Sequence, residues 1–173
     1  MKRYQLCLVI VALLGVVSVG LAKTVQKAKR HSTSGHPGAA HVIVTPDQIQ
    51  WGPGPPSLPP GSQLAVLEGD PSKAGVAFTM RAKLPDGYRI APHWHPTDEK
   101  IVVLQGSFGL GVGNTFDPSA GHELPVGSYA NMPKGLRHYA WATGETEIQV
   151  SGIGPFEVHY VNAADDPRKA SKQ

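Results

Sequence analysis

Apolar and polar residues alternate in several short runs between residues 63 and 161, and Gly and Pro interrupt these runs. The clearest run is residues 76–84, in which every second residue is apolar and most of the others are polar. Its apolar set is Val76, Phe78, Met80, Ala82 and Leu84. A period of two is typical of a half-buried β-strand. Many short strands joined by Gly- and Pro-rich turns predict an all-β domain.

The first 22 residues follow a different pattern. Lys2-Arg3 precede an apolar run from Leu6 to Val19, and the small residues Gly20 and Ala22 stand at −3 and −1 relative to a cut after Ala22. This arrangement is typical of a secretory signal peptide. The run is shorter than the ~18 residues of a membrane-spanning helix, so an uncleaved anchor is the weaker alternative. We expect cleavage after Ala22, a periplasmic or secreted protein, and no stable membrane anchoring after cleavage.

The remaining chain divides by composition, and its length suits one domain with appendages. Residues 23–45 are polar, basic and rich in Gly, Ser and Ala, which predicts a flexible linker. Residues 46–163 form the predicted folded domain. Its first part includes a proline-rich arm, residues 52–61 (GPGPPSLPPG), which should not form regular structure. Residues 164–173 form a polar tail.

The charge balance argues against nucleic-acid binding. The chain has 16 Lys and Arg against 13 Asp and Glu, but six of the basic residues lie in the predicted leader and linker. The folded part therefore has no basic excess to attract a phosphate backbone. The single cysteine, Cys7, lies in the predicted leader, so the mature chain cannot form an intramolecular disulfide.

The candidate chemistry begins with two histidines one residue apart. On a β-strand, His93 and His95 would point to the same face. Residues 96–98 (Pro-Thr-Asp) indicate a turn, which would bring Glu99 back beside the two imidazoles. Imidazoles with a carboxylate suit zinc, iron, copper or nickel, and the carboxylate also suits manganese.

A second stretch supplies one more ligand candidate. Residues 133–135 (Pro-Lys-Gly) indicate a tight turn between two apolar runs, and His138 starts the strand that follows it. The two stretches together offer three histidines and one glutamate.

The spacing in these stretches resembles the two sequence motifs of the cupin superfamily. The matching positions of the first motif are Gly87, His93, His95, Glu99 and Gly106, and those of the second are Gly127, Pro133, Gly135 and His138. The Asn that normally follows the second-motif histidine by four residues is replaced here by Ala142.

The resemblance covers residues 87–142 and extends through the flanking strand patterns to about residues 63–161. It implies an antiparallel double-sheet jelly-roll barrel with one divalent metal inside. The implied ligands are His93, His95, Glu99 and His138. The metal could be Fe, Mn, Zn or Ni.

Strand parity predicts the residues around such a metal. Ile101 and Gln105 share the parity of Glu99 and should point inward, and Phe78 and Met80 should complete a mostly apolar wall. Gln105, as the polar member, is the best candidate for a substrate contact.

Other polar and aromatic residues should lie away from the metal. Tyr139 and Trp141 have the opposite parity to His138, so they should face outward and pack on the amino-terminal arm or on a dimer partner. Asp98 should be a solvated turn residue.

Three histidines and one glutamate leave metal positions open, as catalysis requires. The resemblance therefore implies a metal-dependent enzyme of dioxygenase, isomerase or lyase type that acts on a small organic molecule, and oxygenase chemistry leads by analogy alone. The alternative is a non-catalytic cupin that binds a small ligand or a metal, which the loss of Asn at Ala142 mildly favours. Because small cupins commonly pair, a homodimer is expected. No catalytic residue beyond the metal ligands can be assigned.

Overall fold

The computed structural model describes residues 41–170. The predicted signal peptide, linker residues 23–40 and the last three residues of the tail lie outside the described residues. Within the described range, no helix has the length and apolar character needed to cross a membrane.

Nine strands form the fold of the described residues, and the first of them lies at the start of the proline-rich arm, which was predicted to lack regular structure. They are β1 Gly52–Pro53, β2 Gln63–Gly69, β3 Ala77–Leu84, β4 Arg89–Trp94, β5 Glu99–Val112, β6 His122–Pro125, β7 Tyr129–Met132, β8 His138–Ile153 and β9 His159–Tyr160. All strand pairs are antiparallel, and β8 joins the sheet by pairing with β3, β4 and β5. Short helical turns at Pro46–Gln48, Pro118–Ala120, Ala163–Asp165 and Pro167–Ala170 complete the described chain. The predicted antiparallel jelly-roll barrel is confirmed.

The alternation in β3 places its apolar side chains in the barrel core. Phe78, Met80, Ala82 and Leu84 are buried, while the intervening residues are half-buried or exposed. Ile101 and Val103 of β5 belong to the same core cluster, and each is only 1% exposed. The alternation along the sequence therefore gives the correct face for this strand.

The longest strands, β5 and β8, each bend at a glycine in the left-handed region. Gly106 has a φ of 73° and Gly144 a φ of 72°, a conformation that a β-carbon disfavours. The pairing of β5 with β8 also shifts register on both sides of Gln105. A bulge of this kind changes which face the following residues occupy.

Tyr139 and Trp141, for which packing on the amino-terminal arm or on a dimer partner was expected, pack instead on residues that follow β5. Tyr139 is 1% exposed, and the loop between β5 and β6 covers both rings through Phe116, 5.3 Å from the Tyr139 ring. The Tyr139 hydroxyl donates to the carbonyl oxygen of Asp117 at 2.6 Å, and the Trp141 indole donates to Glu123 at 2.6 Å. The chain's own loop therefore provides the packing that was expected from the arm or a dimer partner.

Candidate metal centre

Three strands bring the predicted ligands together. His93 in β4 lies opposite His138 at the start of β8, His95 directly follows β4, and Glu99 begins β5. All four side chains are buried. The three histidines each offer a nitrogen, and these nitrogens all lie within 4.8 Å of one another. This cluster could hold a metal ion.

Main-chain carbonyls hold all three imidazole rings by their Nδ1 atoms. The Nδ1-to-oxygen distances are 2.8, 2.7 and 3.0 Å for His93, His95 and His138. The accepting carbonyls belong, in the same order, to Ala91, Glu157 and Leu136. Because a carbonyl oxygen can only accept, each Nδ1 carries a hydrogen, and in its neutral form each ring presents an Nε2 lone pair to the cluster.

Glu99 lies against two of these nitrogens. Its Oε2 is 3.4 Å from His95 Nε2 and 3.3 Å from His138 Nε2. Donors bound ~2.1 Å from an ion at tetrahedral angles lie about 3.4 Å apart, so the spacing fits one shared cation. His95 Nε2 is also buried and has no hydrogen-bond partner among the described residues. Lone pairs that face one another in a buried site need a positive charge between them.

The pKa shifts favour the forms that bind metals. Burial, together with repulsion from protonated His138 and His95, lowers the pKa of His93 from 6.5 to about 3. Burial alone would raise the pKa of Glu99, but hydrogen bonds and positive charge from protonated His138 and His95 outweigh it and hold that pKa well below its usual range. At neutral pH, His93 is therefore neutral and Glu99 is ionised, as metal ligation requires.

The four residues line a cavity of about 390 Å³, within the range of small-molecule sites. Its walls are almost entirely apolar and include two of the predicted residues, Met80 and Ile101. Phe78 does not line the cavity. It packs behind Phe156, with ring centroids 5.2 Å apart, and Phe156 in turn stacks on His95 at 4.3 Å.

Gln105, the predicted polar contact, lies outside this cavity. It is exposed and borders a separate polar cleft with Lys83 and Glu147. The cause is the double register shift around Gln105, which breaks the parity on which the prediction depended. The structure therefore does not place Gln105 with the donor residues, and its role as a substrate contact stays a prediction.

Two contacts that the sequence did not reveal join the two ligand-bearing turns. Asp98 accepts a hydrogen bond from the Lys134 main-chain nitrogen at 2.8 Å, and the Gly135 nitrogen donates to the His95 carbonyl at 2.9 Å. Asp98 is exposed, as predicted, but it also ties the turn that precedes Glu99 to the turn that precedes His138. An acidic residue in a turn carries no sequence signal for such a pairing.

Residues 39–157, well over half of the chain, match the family described as the ChrR cupin-like domain. The chain belongs to this family. The cupin superfamily that the two motifs indicated is thereby confirmed. No curated protein sequence matches this cupin.

Solved structures with the same fold include several cupins. The polyketide cyclase RemF from Streptomyces resistomycificus is 21% identical with a TM-score of 0.55, over 78% of this chain and 94% of that chain. A protein proposed to be an acetylacetone dioxygenase, from Methylibium petroleiphilum PM1, is 21% identical with a TM-score of 0.57, over 75% and 86%. KdgF from Halomonas sp. is 20% identical with a TM-score of 0.50, over 66% and 95%. At these identities the likeness establishes the fold.

Proposed function

We propose that this cupin binds one divalent metal through His93, His95, His138 and Glu99 and is a metal-dependent enzyme that acts on a small, largely apolar organic molecule. One observation carries the proposal. Three Nε2 atoms and an ionised carboxylate converge, buried, at the wall of an apolar cavity. Glu99 as the fourth ligand is the finer part of the proposal.

A bound metal would supply Lewis-acid or oxygen-activating chemistry. The chain contributes the rest. The three carbonyl-held rings fix the direction of the donor atoms. Four protein donors leave at least one further position on an ion of higher coordination number, where a substrate oxygen can bind. The apolar walls exclude water from that position.

The cavity lining limits the substrate. Apart from the four donor residues, its only polar side chains are Ser57 and Ser72, and among the described residues it contains no Lys or Arg. A phosphate ester or a polycarboxylate would find no cationic partner besides the metal. We therefore favour a molecule with one metal-binding end and an apolar body. Dioxygenase, isomerase or lyase chemistry is compatible with such a substrate, and the cyclase and dioxygenase names among the fold neighbours support this class.

The test begins with elemental analysis of the purified chain beside a His93→Ala/His138→Ala double variant. Near-stoichiometric metal in the wild type and its loss in the variant are expected. Iron would favour oxygen chemistry, and zinc would favour lyase or hydrolytic chemistry. The metal-loaded wild type is then incubated aerobically and anaerobically with a panel of small apolar carbonyl and phenolic compounds. Absence of both metal and turnover would refute the proposal.

A second candidate is a non-catalytic module that binds a small ligand or a metal. The observation in its favour is that the described cavity has no titratable side chain beyond the four donors, so no separate group can move a proton. Ala142, whose departure from the motif pointed the same way, is buried outside the cavity lining and adds little. Saturable binding of a panel compound that is recovered unchanged would support this candidate.

Export, which the predicted signal peptide suggests, and pairing, which is common among small cupins, remain proposals. For export, the mass of the chain recovered from the periplasm or culture medium should correspond to cleavage after Ala22. A full-length mass in the membrane fraction would contradict this. For the homodimer, light scattering should give twice the monomer mass, and a monomer at micromolar concentration would contradict it.

A further inference from the structure

We propose that the proline-rich arm, residues 52–61, is the wall that sets the length of the ligand, with Leu58 as the residue that limits it, and that the ligand is an uncharged molecule with one metal-binding end and an apolar body. This inference rests on the proposed metal site and extends it to the class of ligand. The sequence of the arm is rich in Pro and Gly and has no periodic pattern of apolar residues, so it did not predict that the arm lines the cavity. Only the structure shows this position.

The arm contributes directly to the cavity that holds the donor residues. Pro53, Pro55, Ser57 and Leu58 all line it. Leu58 has the largest flexible side chain of the four and is half-buried. The rest of the wall comes mainly from barrel strands whose backbones are fixed by sheet pairing. The arm is therefore a part of the cavity lining that a jelly roll does not itself dictate.

The arm is held in place by its own bonds. The Gly54 nitrogen donates to the Ser62 carbonyl at 2.8 Å, and the Leu58 nitrogen donates to the Pro55 carbonyl at 2.9 Å. A β-carbon at Gly54 would lie 2.1 Å from Ser62 Oγ, so a larger residue there would have to displace that hydroxyl. Prolines restrict φ throughout the segment. These features describe a preorganised wall.

Two tyrosines attach the arm to the barrel. The Tyr160 hydroxyl donates to the Ser57 carbonyl at 2.9 Å, and the Tyr88 hydroxyl donates to the Pro59 carbonyl at 2.5 Å. Burial raises the pKa of both hydroxyls, which keeps them protonated and able to donate. The two anchored carbonyls, of Ser57 and Pro59, flank Leu58, so the backbone that carries this side chain is held on both sides.

One anchor also connects the arm to the donor residues. Tyr160 lies opposite His93 in the pairing of β4 with β9, and the two ring centroids are 6.1 Å apart. The wall and the donor cluster are thus held by the same short strand. The distance between the metal and the arm is therefore fixed, and a fixed distance is what allows the cavity to select ligands by their chain length.

The ligand chemistry follows from the lining. With no cationic side chain in the described cavity, a ligand must be attracted by the metal at one end and by apolar contact along the rest. A molecule with one oxygen-bearing end that can bind a metal, followed by a hydrocarbon chain, meets both conditions. Unbranched 2,4-alkanediones, which are neutral in solution and chelate a metal as the enolate with release of one proton to the buffer, provide a probe series in which only the chain length changes.

The test measures the affinity of the full chain, loaded with the metal found by elemental analysis, for 2,4-alkanediones from five to ten carbons. Calorimetry under argon records binding without oxygen-dependent turnover. In the wild type, affinity should rise about fourfold per buried methylene and then stop rising at a chain length set by Leu58. Leu58→Ala should move that limit two or three carbons longer, and Leu58→Phe should move it shorter. Pro56→Ala is the matched control, because Pro56 is exposed in the same arm and does not line the cavity.

The outcomes separate this inference from the proposed function. If Leu58→Ala does not fold, Leu58→Val should move the limit by about one carbon. If the chain-length limit is unchanged in the Leu58 variants, or moves equally in Pro56→Ala, the role of the arm as the wall that limits ligand length is refuted. Failure of the wild type to bind any member at millimolar concentration also overturns it. If the chain turns over no compound but the length limit shifts in the Leu58 variants, the proposed enzymatic function is refuted and the role of the arm as the wall is supported.

Discussion

Acid should destabilise the metal-free protein chiefly through His93. Burial and the neighbouring imidazoles lower its folded-state pKa to about 3, whereas the unfolded chain has the usual 6.5. Between these values the unfolded state binds more protons than the folded state, so stability falls as pH falls. Each pH unit is worth ~1.4 kcal/mol, so lowering the pH from 7.5 to 4.5 should cost about 2.7 kcal/mol from this side chain alone.

The assay is equilibrium unfolding in urea at pH 7.5, 6.5, 5.5 and 4.5, with a chelator present and far-UV circular dichroism as the signal. Glu99, whose folded-state pKa is lowered, loses its contribution only as pH falls below about 4.5, so this range isolates the histidine. His93→Leu should remove about 2.7 kcal/mol from the pH dependence, and His122→Ala, a change of an exposed histidine, should not. If His93→Leu retained the wild-type pH dependence, the reasoning would be refuted.

Three further changes test the site. Glu99→Gln should weaken metal affinity, measured by chelator competition, by more than ~100-fold, because ~100-fold is the upper range for a residue that only supports a ligand. A smaller loss would mean that Glu99 supports a ligand and does not bind the metal itself. Asp98→Ala should weaken metal binding ~10-fold because it removes the hydrogen bond to the Lys134 main-chain nitrogen. Asp98→Asn keeps an acceptor oxygen and should retain most of the wild-type affinity. Identical metal titration curves for the wild type and Asp98→Ala would contradict this. Gln105→Ala should leave metal content and alkanedione affinity unchanged, because Gln105 lies outside the cavity. Altered affinity would indicate that Gln105 contacts the ligand.

The sequence predicted what depends on spacing and alternation. Turns and strand parity are local properties, so His93, His95 and Glu99 could be placed on one face from residue order alone. The alternation of β3 likewise gave the correct buried face for Met80. A motif at fixed spacing added His138, which is far along the chain but adjacent in the sheet.

The remaining features depend on geometry that leaves no trace in residue type. The register shift between Val103 and Gln105 changes the parity of β5 before it reaches Gln105, so Gln105 could not be placed by counting from Glu99. The carbonyl that holds His95 belongs to Glu157, 62 residues later, and every residue type offers a carbonyl. Composition could suggest that the arm is irregular, but only the packed fold shows that Leu58 reaches the cavity.

The main-chain atoms that hold the imidazoles have a consequence for how such a protein diverges. No substitution can delete a carbonyl oxygen, so a point mutation at Ala91, Leu136 or Glu157 leaves the ring orientation in place provided that the backbone keeps its path. The arm, by contrast, contributes side chains and can vary residue by residue. A lineage built on this scaffold can therefore exchange one substrate for another through drift in the arm while its metal chemistry stays intact.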